Sequence, residues 1–466
     1  MHHLAALQEP DLDALPLMRP QFNKTKSMRE FRMTKVSRRA LFAATISVLA
    51  GGIATSADAA AFYLQEQSVR GAGRAYSGEV ADQGAASLWW NPAASGGMTG
   101  GDAVVGVSEI MPRGNVHNNG TLIIRPGQAP APVGGDADSR NPIKDGTLPS
   151  GAIAYGILPR LSFGLAVTSP FSFTTDYEST SWARYTADKT NLRMVDIQPS
   201  LAFAITPEIS IGAGVNAEYV KASLSNSLPN LSPLLPDGHQ TLKGNGWDWG
   251  WTVGAQFHAG NAVTVGLSYK SSIKHKLDGN VITAGLAGPI AGLNGMIPTS
   301  AEFRTPWQAM VGIRAKVTPA LTLNAEINRF GWNKFDTIKL GAPLNVAIPE
   351  NYGNSWSYAG GLDYAISPGV TLRAGIQRDQ SPTRDMHRDA RVPDSNRWNF
   401  AAGGSFDVTK GVGIDAAVNY IKFKDASIDR TTAAYAGSPV QTPILVNGRI
   451  ENAHALVLSI GAHVKF

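Results

Sequence analysis

The chain has 466 residues, 43% of them apolar and only 17% charged, with 49 Gly and no Cys. That composition is too apolar and too weakly charged for a disordered chain. Without Cys there is no disulfide scaffold, thiolate zinc site, iron–sulfur cluster or Cys nucleophile. Residues 1–59 hold eight of the 41 basic residues and five of the 36 acidic ones. The remainder therefore carries 33 − 31 = +2, which makes no case for nucleic-acid binding.

Residues 33–59 read as an export signal. Lys35, Arg38 and Arg39 form a basic start, Ala40 to Ala50 a short apolar stretch, and Ala57-Asp58-Ala59 an A-x-A cleavage site. Cleavage there leaves a 407-residue chain starting at Ala60 (466 − 59), with no apolar run near the ~18 residues of a membrane-spanning helix. Residues 1–32 precede Met33 and have no signal character. The expected division is leader 1–59, N-terminal segment 60–101 and strand-forming region 102–466.

From residue 102 onward the dominant period is two. Ile209, Ile211, Ala213, Val215, Ala217 and Tyr219 alternate with Ser210, Gly212, Gly214, Asn216 and Glu218. The same alternation returns in Val263–Tyr269, Leu321–Ile327 and Val370–Ile376. Such a strand has two different media on its two faces. Tight turns at Thr206-Pro207-Glu208, Ala259-Gly260-Asn261, Thr318-Pro319-Ala320, Ser367-Pro368-Gly369 and Thr409-Lys410-Gly411 join pairs of strands. On the other side lie long polar or Gly/Pro-rich loops near 112–147, 176–190, 225–246, 279–299, 340–354, 380–395 and 429–448. Short turns on one side and long loops on the other mark an outer-membrane barrel, and fourteen strands can be counted, an even number as such barrels need. The last strand puts Leu456, Leu458, Ile460, Ala462, Val464 and Phe466 on one face. Trp247, Trp249 and Trp251 suit an interfacial girdle.

Fourteen strands enclose a lumen too wide for wall side chains to fill. Residues 60–100 lack alternation and are Gly/Ala-rich, as a compact plug would be. Their sequence, AAFYLQEQSVRGAGRAYSGE leading to WWNPA, resembles the hatch of the FadL-type outer-membrane hydrophobe transporters. NGWDWGWTVGAQF at 245–257, DQSP at 379–382 and PDSNRW at 393–398 extend the resemblance over nearly all of residues 60–466.

The resemblance implies an all-β fold: a fourteen-stranded antiparallel transmembrane barrel with an N-terminal hatch in the lumen. It implies a transporter without catalytic residues, cofactor or metal, placed in the bacterial outer membrane as a monomer among lipid and lipopolysaccharide. The terminal Phe466 looks like the signal read by the barrel assembly machinery. The implied cargo is a hydrophobic small molecule, long-chain fatty acids first. Monoaromatics or alkanes are the alternative, and a general porin is the remoter one. In the resembled family, ligand is captured by outer loops, held in an apolar pocket above the hatch and released sideways beside a kinked third strand.

Carried onto this sequence, the capture residues are Leu234, Leu235, Leu286 and Ile290, apolar side chains on long outer loops. The lateral opening is Pro170 with Phe171 and Phe173, since a proline inside a strand removes a ladder donor. The hatch and gate residues are Phe62, at the floor of the pocket, and Asn91, Pro92 and Ala93, in a turn near the opening. The basic pair that meets a fatty-acid carboxylate in that family falls here on Asn226 and Ile348, which argues for an uncharged cargo. Glu218, Glu326, Asp363, Arg373, Arg397 and Asp415 face the lumen and need partners, with the hatch as the expected one.

Overall fold

A computed structural model of the chain describes residues 61–466. The leader and its cleavage site lie outside the described residues. Fourteen strands follow in sequence: β1 (Gly101–Asn118), β2 (Gly146–Leu158), β3 (Leu161–Thr168, resuming at Phe173–Asp176), β4 (Lys189–Thr206), β5 (Ile209–Leu228), β6 (Gly238–Ala259) and β7 (Val263–Lys270, resuming at Lys274–Ala284). The second half comprises β8 (Gly295–Arg304 and Gln308–Lys316), β9 (Leu321–Phe330 and Thr337–Leu340), β10 (Ser355–Ser367), β11 (Val370–Asp379), β12 (Arg397–Thr409), β13 (Val412–Phe423 and Ala426–Ala434) and β14 (Thr442–Lys465). Each strand pairs antiparallel with its neighbours. β14 pairs with β1 from Asp102↔Lys465 to Asn118↔Gly448, which closes the sheet into a barrel.

The alternation read from the sequence is the in/out pattern of this wall. Ile209, Ile211, Val215, Leu201, Phe203, Leu267 and Val311 are exposed on the outside, where a soluble protein would not tolerate a continuous apolar belt. Along β6 the apolar outward row runs from Trp247 to Phe257, eleven residues, the length a tilted strand needs to cross a bilayer. Tyr219–Trp247, Trp251–Tyr269 and Tyr269–Trp307 ring contacts at 5.2, 5.4 and 6.0 Å form part of the girdle.

The outer loops are shorter than the sequence pattern predicts. The expected 225–246 loop is a connection of nine residues, 229–237, because β5 and β6 stay paired from Gly238↔Leu228 inward. The expected 279–299 and 429–448 loops contract to 285–294 and 435–441 in the same way. Above the membrane both faces of a strand can be polar, so alternation fades while the hydrogen-bond ladder continues.

Residues 61–100 fill the lumen as short turns: a helix Val69–Ala72 capped by Ser68, and 3-10 turns Glu79–Ala81, Ala85–Ser87 and Pro92–Ser95. The wall is pared back to receive them. A Cβ on Gly266 would come 1.9 Å from the Val80 carbonyl oxygen, and one on Gly375 would come 2.1 Å from that of Arg74. Backbone can approach backbone this closely only where the wall residue is glycine.

Candidate functional site: the wall opening and the cavities it joins

The wall is incomplete between β2 and β3. Their ladder runs from Leu158↔Leu161 to Gly151↔Val167 and stops. Gly146 to Ser150 pair with β1, and no β3 residue is registered opposite them. Pro170 explains the break, since it has no N–H to give and sets its own φ. On the β4 side, Thr168 faces Asp196 and Phe173 faces Leu192, so five steps along β3 match four along β4 and the chain bulges inward. The seam is closed again higher up by the Ile143↔Thr175 bridge, by Lys144 N–H to Thr174 O at 2.8–2.9 Å geometry typical of a ladder, and by Asp176 N–H to Pro142 O.

The start of the hatch covers this break from inside. Leu64 N–H donates to Pro170 O at 2.8 Å, and Tyr63 bridges Phe171. Gln67 both accepts from Ser169 N–H (3.0 Å) and donates to Ser169 O (3.1 Å). Residues 63–67 thus act as a short internal strand against the broken edge. Ala61 N–H donates to Asp394 at 2.9 Å, which fixes the segment's beginning.

Two cavities meet at this segment. One is lined by Leu192, Leu224, Leu277, Phe303, Phe335 and Tyr352 among others. The second includes Ile143, Ser172 and Thr175, at the edge of the wall break. Phe62, Phe173 and Val392 line both. The buried Phe62 ring lies 5.8 Å from Phe171, 5.8 Å from Phe173, 5.1 Å from Trp332 and 5.2 Å from Phe335. It stands as a partition between the two spaces.

The charged residues lining the first cavity are Arg391, Glu350 and Asp389, with Lys243 of β6. Arg391 is held by neutral oxygens: Nη1 donates to Thr190 Oγ1 (2.9 Å) and Ser225 O (3.3 Å), and Nη2 donates to Thr186 O. Among the described residues it makes no ion pair. The two nearby carboxylates are taken by Arg430 instead, at 3.2 Å to Glu350 and 3.0 Å to Asp389. Burial pushes the Glu350 carboxyl up to about 7 although Arg430 opposes it, and burial lowers the Arg391 guanidinium from its ordinary value. Burial also holds the Tyr352 phenol protonated. Among the described residues no three His, Asp or Glu side chains converge as metal ligands would.

Arg391 is the residue that sequence reasoning missed. It lies in the polar stretch between DQSP and PDSNRW, where Arg and Asp are expected to face water. Asn226 donates to Ser227 O, and Ile348 sits in the short strand Ala347–Pro349, so neither offers charge. The guanidinium nevertheless reaches Ser225 O, next to Asn226, and shares a cavity with Glu350, next to Pro349.

The four expected hatch residues lie in two places. Phe62 is at the wall break. Asn91 caps the turn Pro92–Ser95 through Ala93 N–H (3.0 Å) and donates to Val80 O (2.7 Å) and Ala255 O (3.1 Å). Ser210 donates to Ala93 O, so Asn91-Pro92-Ala93 braces the hatch on β5 and β6, whereas residues 63–67 meet the opening. Below, Arg74 binds Glu79, Asp82 (2.7 Å) and Asp363 (3.5 Å), while Arg314 and Arg373 reach Asp363 at 2.8 and 2.7 Å. Glu326 accepts from Val80 N–H. Of the six expected lumen charges, Glu326 and Asp363 thus reach the hatch, whereas Glu218 pairs with His275, Arg373 with Asp363, Arg397 with Asp379 and Asp415 with His463 within the wall.

The outer-loop residues also divide. Leu286 and Ile290 are buried with Leu228, against Leu231, Tyr435 and Val440. Asn230 clamps the two loops, donating to Gly285 O and accepting from Ala287 N–H. Leu234 is 93% exposed and Leu235 41% exposed, outside that cluster.

The family described as outer membrane protein transport protein (OMPP1/FadL/TodX) matches residues 50–466. A long-chain fatty acid transport protein of Escherichia coli O6:H1 is 24% identical over 422 residues, 83% of this chain and 92% of that protein. The crystal structure of a Pseudomonas aeruginosa FadL homologue superposes with a TM-score of 0.75 at 24% identity, covering 87% of this chain and all of that one. The Ralstonia pickettii toluene transporter TbuX superposes at 0.60 with 16% identity, over 86% and 98%.

Proposed function

Because the chain belongs to the OMPP1/FadL/TodX family of outer-membrane transport proteins, carriers of hydrophobic compounds and not enzymes, we propose that it imports long-chain fatty acids by passive diffusion. The observation that carries this reading is Arg391, a half-buried residue lining an otherwise largely apolar cavity, whose guanidinium is bonded to neutral oxygens alone. A fatty acid fits both parts. Its tail gains about 0.8 kcal/mol for each CH₂ taken from water. Its carboxylate gains a charge-assisted hydrogen bond worth about 1.5–3 kcal/mol.

The route starts at the loops clamped by Asn230 around Leu286 and Ile290, with the exposed Leu234 and Leu235 as first contacts. The tail then enters the cavity beside Leu192 and Leu277. Displacement of Phe62, with the strand-like segment 63–67, joins this space to the second cavity. The opening between β2 and β3 at Pro170, Phe171 and Phe173 then leads into the membrane. Asn91-Pro92-Ala93 stays fixed as the hatch's brace. No energy source is needed beyond the concentration gradient. One chain closes one barrel, so the mechanism works in a monomer, and the exposed terminal Phe466 serves as the assembly signal.

A second reading, uptake of monoaromatics, is favoured by the ring-lined partition of Phe62, Phe173, Trp332 and Phe335 and by the toluene cargo of the Ralstonia protein. Uptake of labelled oleate and labelled toluene, in a host lacking its own such transporter, separates the two. Oleate uptake that depends on this chain supports the proposal. Toluene uptake alone would assign the cavity to uncharged cargo.

A further inference from the structure

Above the aromatic girdle, the outer faces of β4 to β9 carry a band of exposed cations: Arg193, Lys221, Lys243, Lys274 with Lys276, Arg304 and Lys339. Only two of these seven, Lys274 with Glu302 (2.8 Å) and Lys276 with Asp278 (3.7 Å), form an ion pair among the described residues. The band is tightly placed. Arg193 stands directly opposite Lys221 across β4 and β5, and Lys274 directly opposite Arg304 across β7 and β8. Like charges in facing positions destabilise a sheet unless an anion lies between or over them. The next outward residues toward the membrane are Val195 on β4 and Tyr219 on β5, two residues and so about 7 Å below Arg193 and Lys221; Trp247, paired with Tyr219, lies four residues and so about 13 Å from Lys243. A girdle of Tyr and Trp marks headgroup level. The cations therefore stand where the phosphates of the outer leaflet lie, with apolar wall beneath them for acyl chains.

We infer that this face is a binding surface for the phosphorylated glycolipid of the outer leaflet, with lipid A phosphates over Arg193, Lys221 and Lys243 and acyl chains along Tyr219 and Trp247. Charge complementarity selects this occupant: a multiply anionic headgroup answers several cations on adjacent strands, and Arg in particular recognises phosphate through paired donors. The opposite wall differs. There Arg113 is paired with Asp145, and Arg449 with Glu451 (3.2 Å).

The test uses the purified full-length mature protein in detergent. Bisphosphorylated lipid A and phosphatidylglycerol are titrated separately, and bound lipid is counted by native mass spectrometry. The variant Arg193→Gln/Lys221→Gln/Lys243→Gln should bind lipid A at least tenfold more weakly than the unaltered protein. Lys422→Gln, on the outer face of β13, should not change it. Heat-modifiable gel mobility verifies that both variants remain folded barrels. Unaltered lipid A binding by the folded triple variant would overturn the inference. So would phosphatidylglycerol binding as tight as lipid A, which would reduce the band to an unselective anion surface.

Discussion

Replacing Phe62 with Ala tests whether the N-terminal segment is a gate held by packing. The side chain is buried and has four aromatic neighbours within 5.8 Å. Removing a buried Phe costs about 3–5 kcal/mol when the site cannot collapse, and the two adjoining cavities make collapse difficult. That cost falls on the closed position of residues 61–67, since the barrel's own ladders do not involve Phe62. With about 1.4 kcal/mol per factor of ten, even 3 kcal/mol shifts the closed-to-open ratio by about a hundredfold. Hydrogen exchange resolved to the 61–70 peptide reports this shift through Leu64 N–H, which is bonded to Pro170 O only in the closed position. Protection at Leu64 should fall about a hundredfold while the barrel strands keep theirs, and bound fatty acid should dissociate faster. Phe62→Leu, which keeps most of the volume, should retain most of the protection. Unchanged exchange at Leu64, or an equal loss throughout the barrel, would refute the partition argument.

Four further outcomes are expected. Arg391→Met should weaken oleate binding about 10–100-fold, the loss of one charged hydrogen bond of about 1.5–3 kcal/mol, and leave toluene binding unchanged in a direct titration. Arg74→Met leaves Glu79, Asp82 and Asp363 short of a partner, at a cost of about 3–5 kcal/mol for a broken buried pair, and should appear as steady ion current in planar bilayers where the unaltered protein passes none. Pro170→Ala restores a ladder N–H and should slow uptake while heat-modifiable mobility shows a normally assembled barrel. Burial raises the Glu350 carboxyl to about 7 against the pull of Arg430, so raising the pH from 6 to 8 should add negative charge beside Arg391. Binding of an alkyl sulfonate, whose own charge is constant, should weaken over that range, and Glu350→Gln should flatten the profile.

The membrane-crossing part of this fold was legible because each wall residue faces either lipid or lumen, and the two media demand opposite side chains. All fourteen strands follow from that alternation. Their outer ends did not, since at Lys243 or Ser223 neither face need be apolar and only pairing keeps the strand in register. Pro170 was legible for a backbone reason, its missing donor. Arg391 was hidden because its meaning depends on what surrounds it: a charged loop residue reads as solvated until the loop folds into the barrel mouth and leaves it among Leu192, Leu224 and Phe335. The placement of Asn91-Pro92-Ala93 was hidden for a related reason, since a turn motif carries no record of which wall strands it will brace.

The hatch is fastened in two chemically distinct ways. From Arg74 downward it is tied to β8 and β10 by largely buried charge pairs, Asp82 with Arg314 and Arg74 with Asp363, whereas residues 61–67 are held by rings and a few hydrogen bonds. The apolar tail of a cargo competes for ring contacts but not for the buried charge pairs below. On the proposed route, cargo dislodges the upper segment while the charged floor stays shut. The side door then opens without opening the drain.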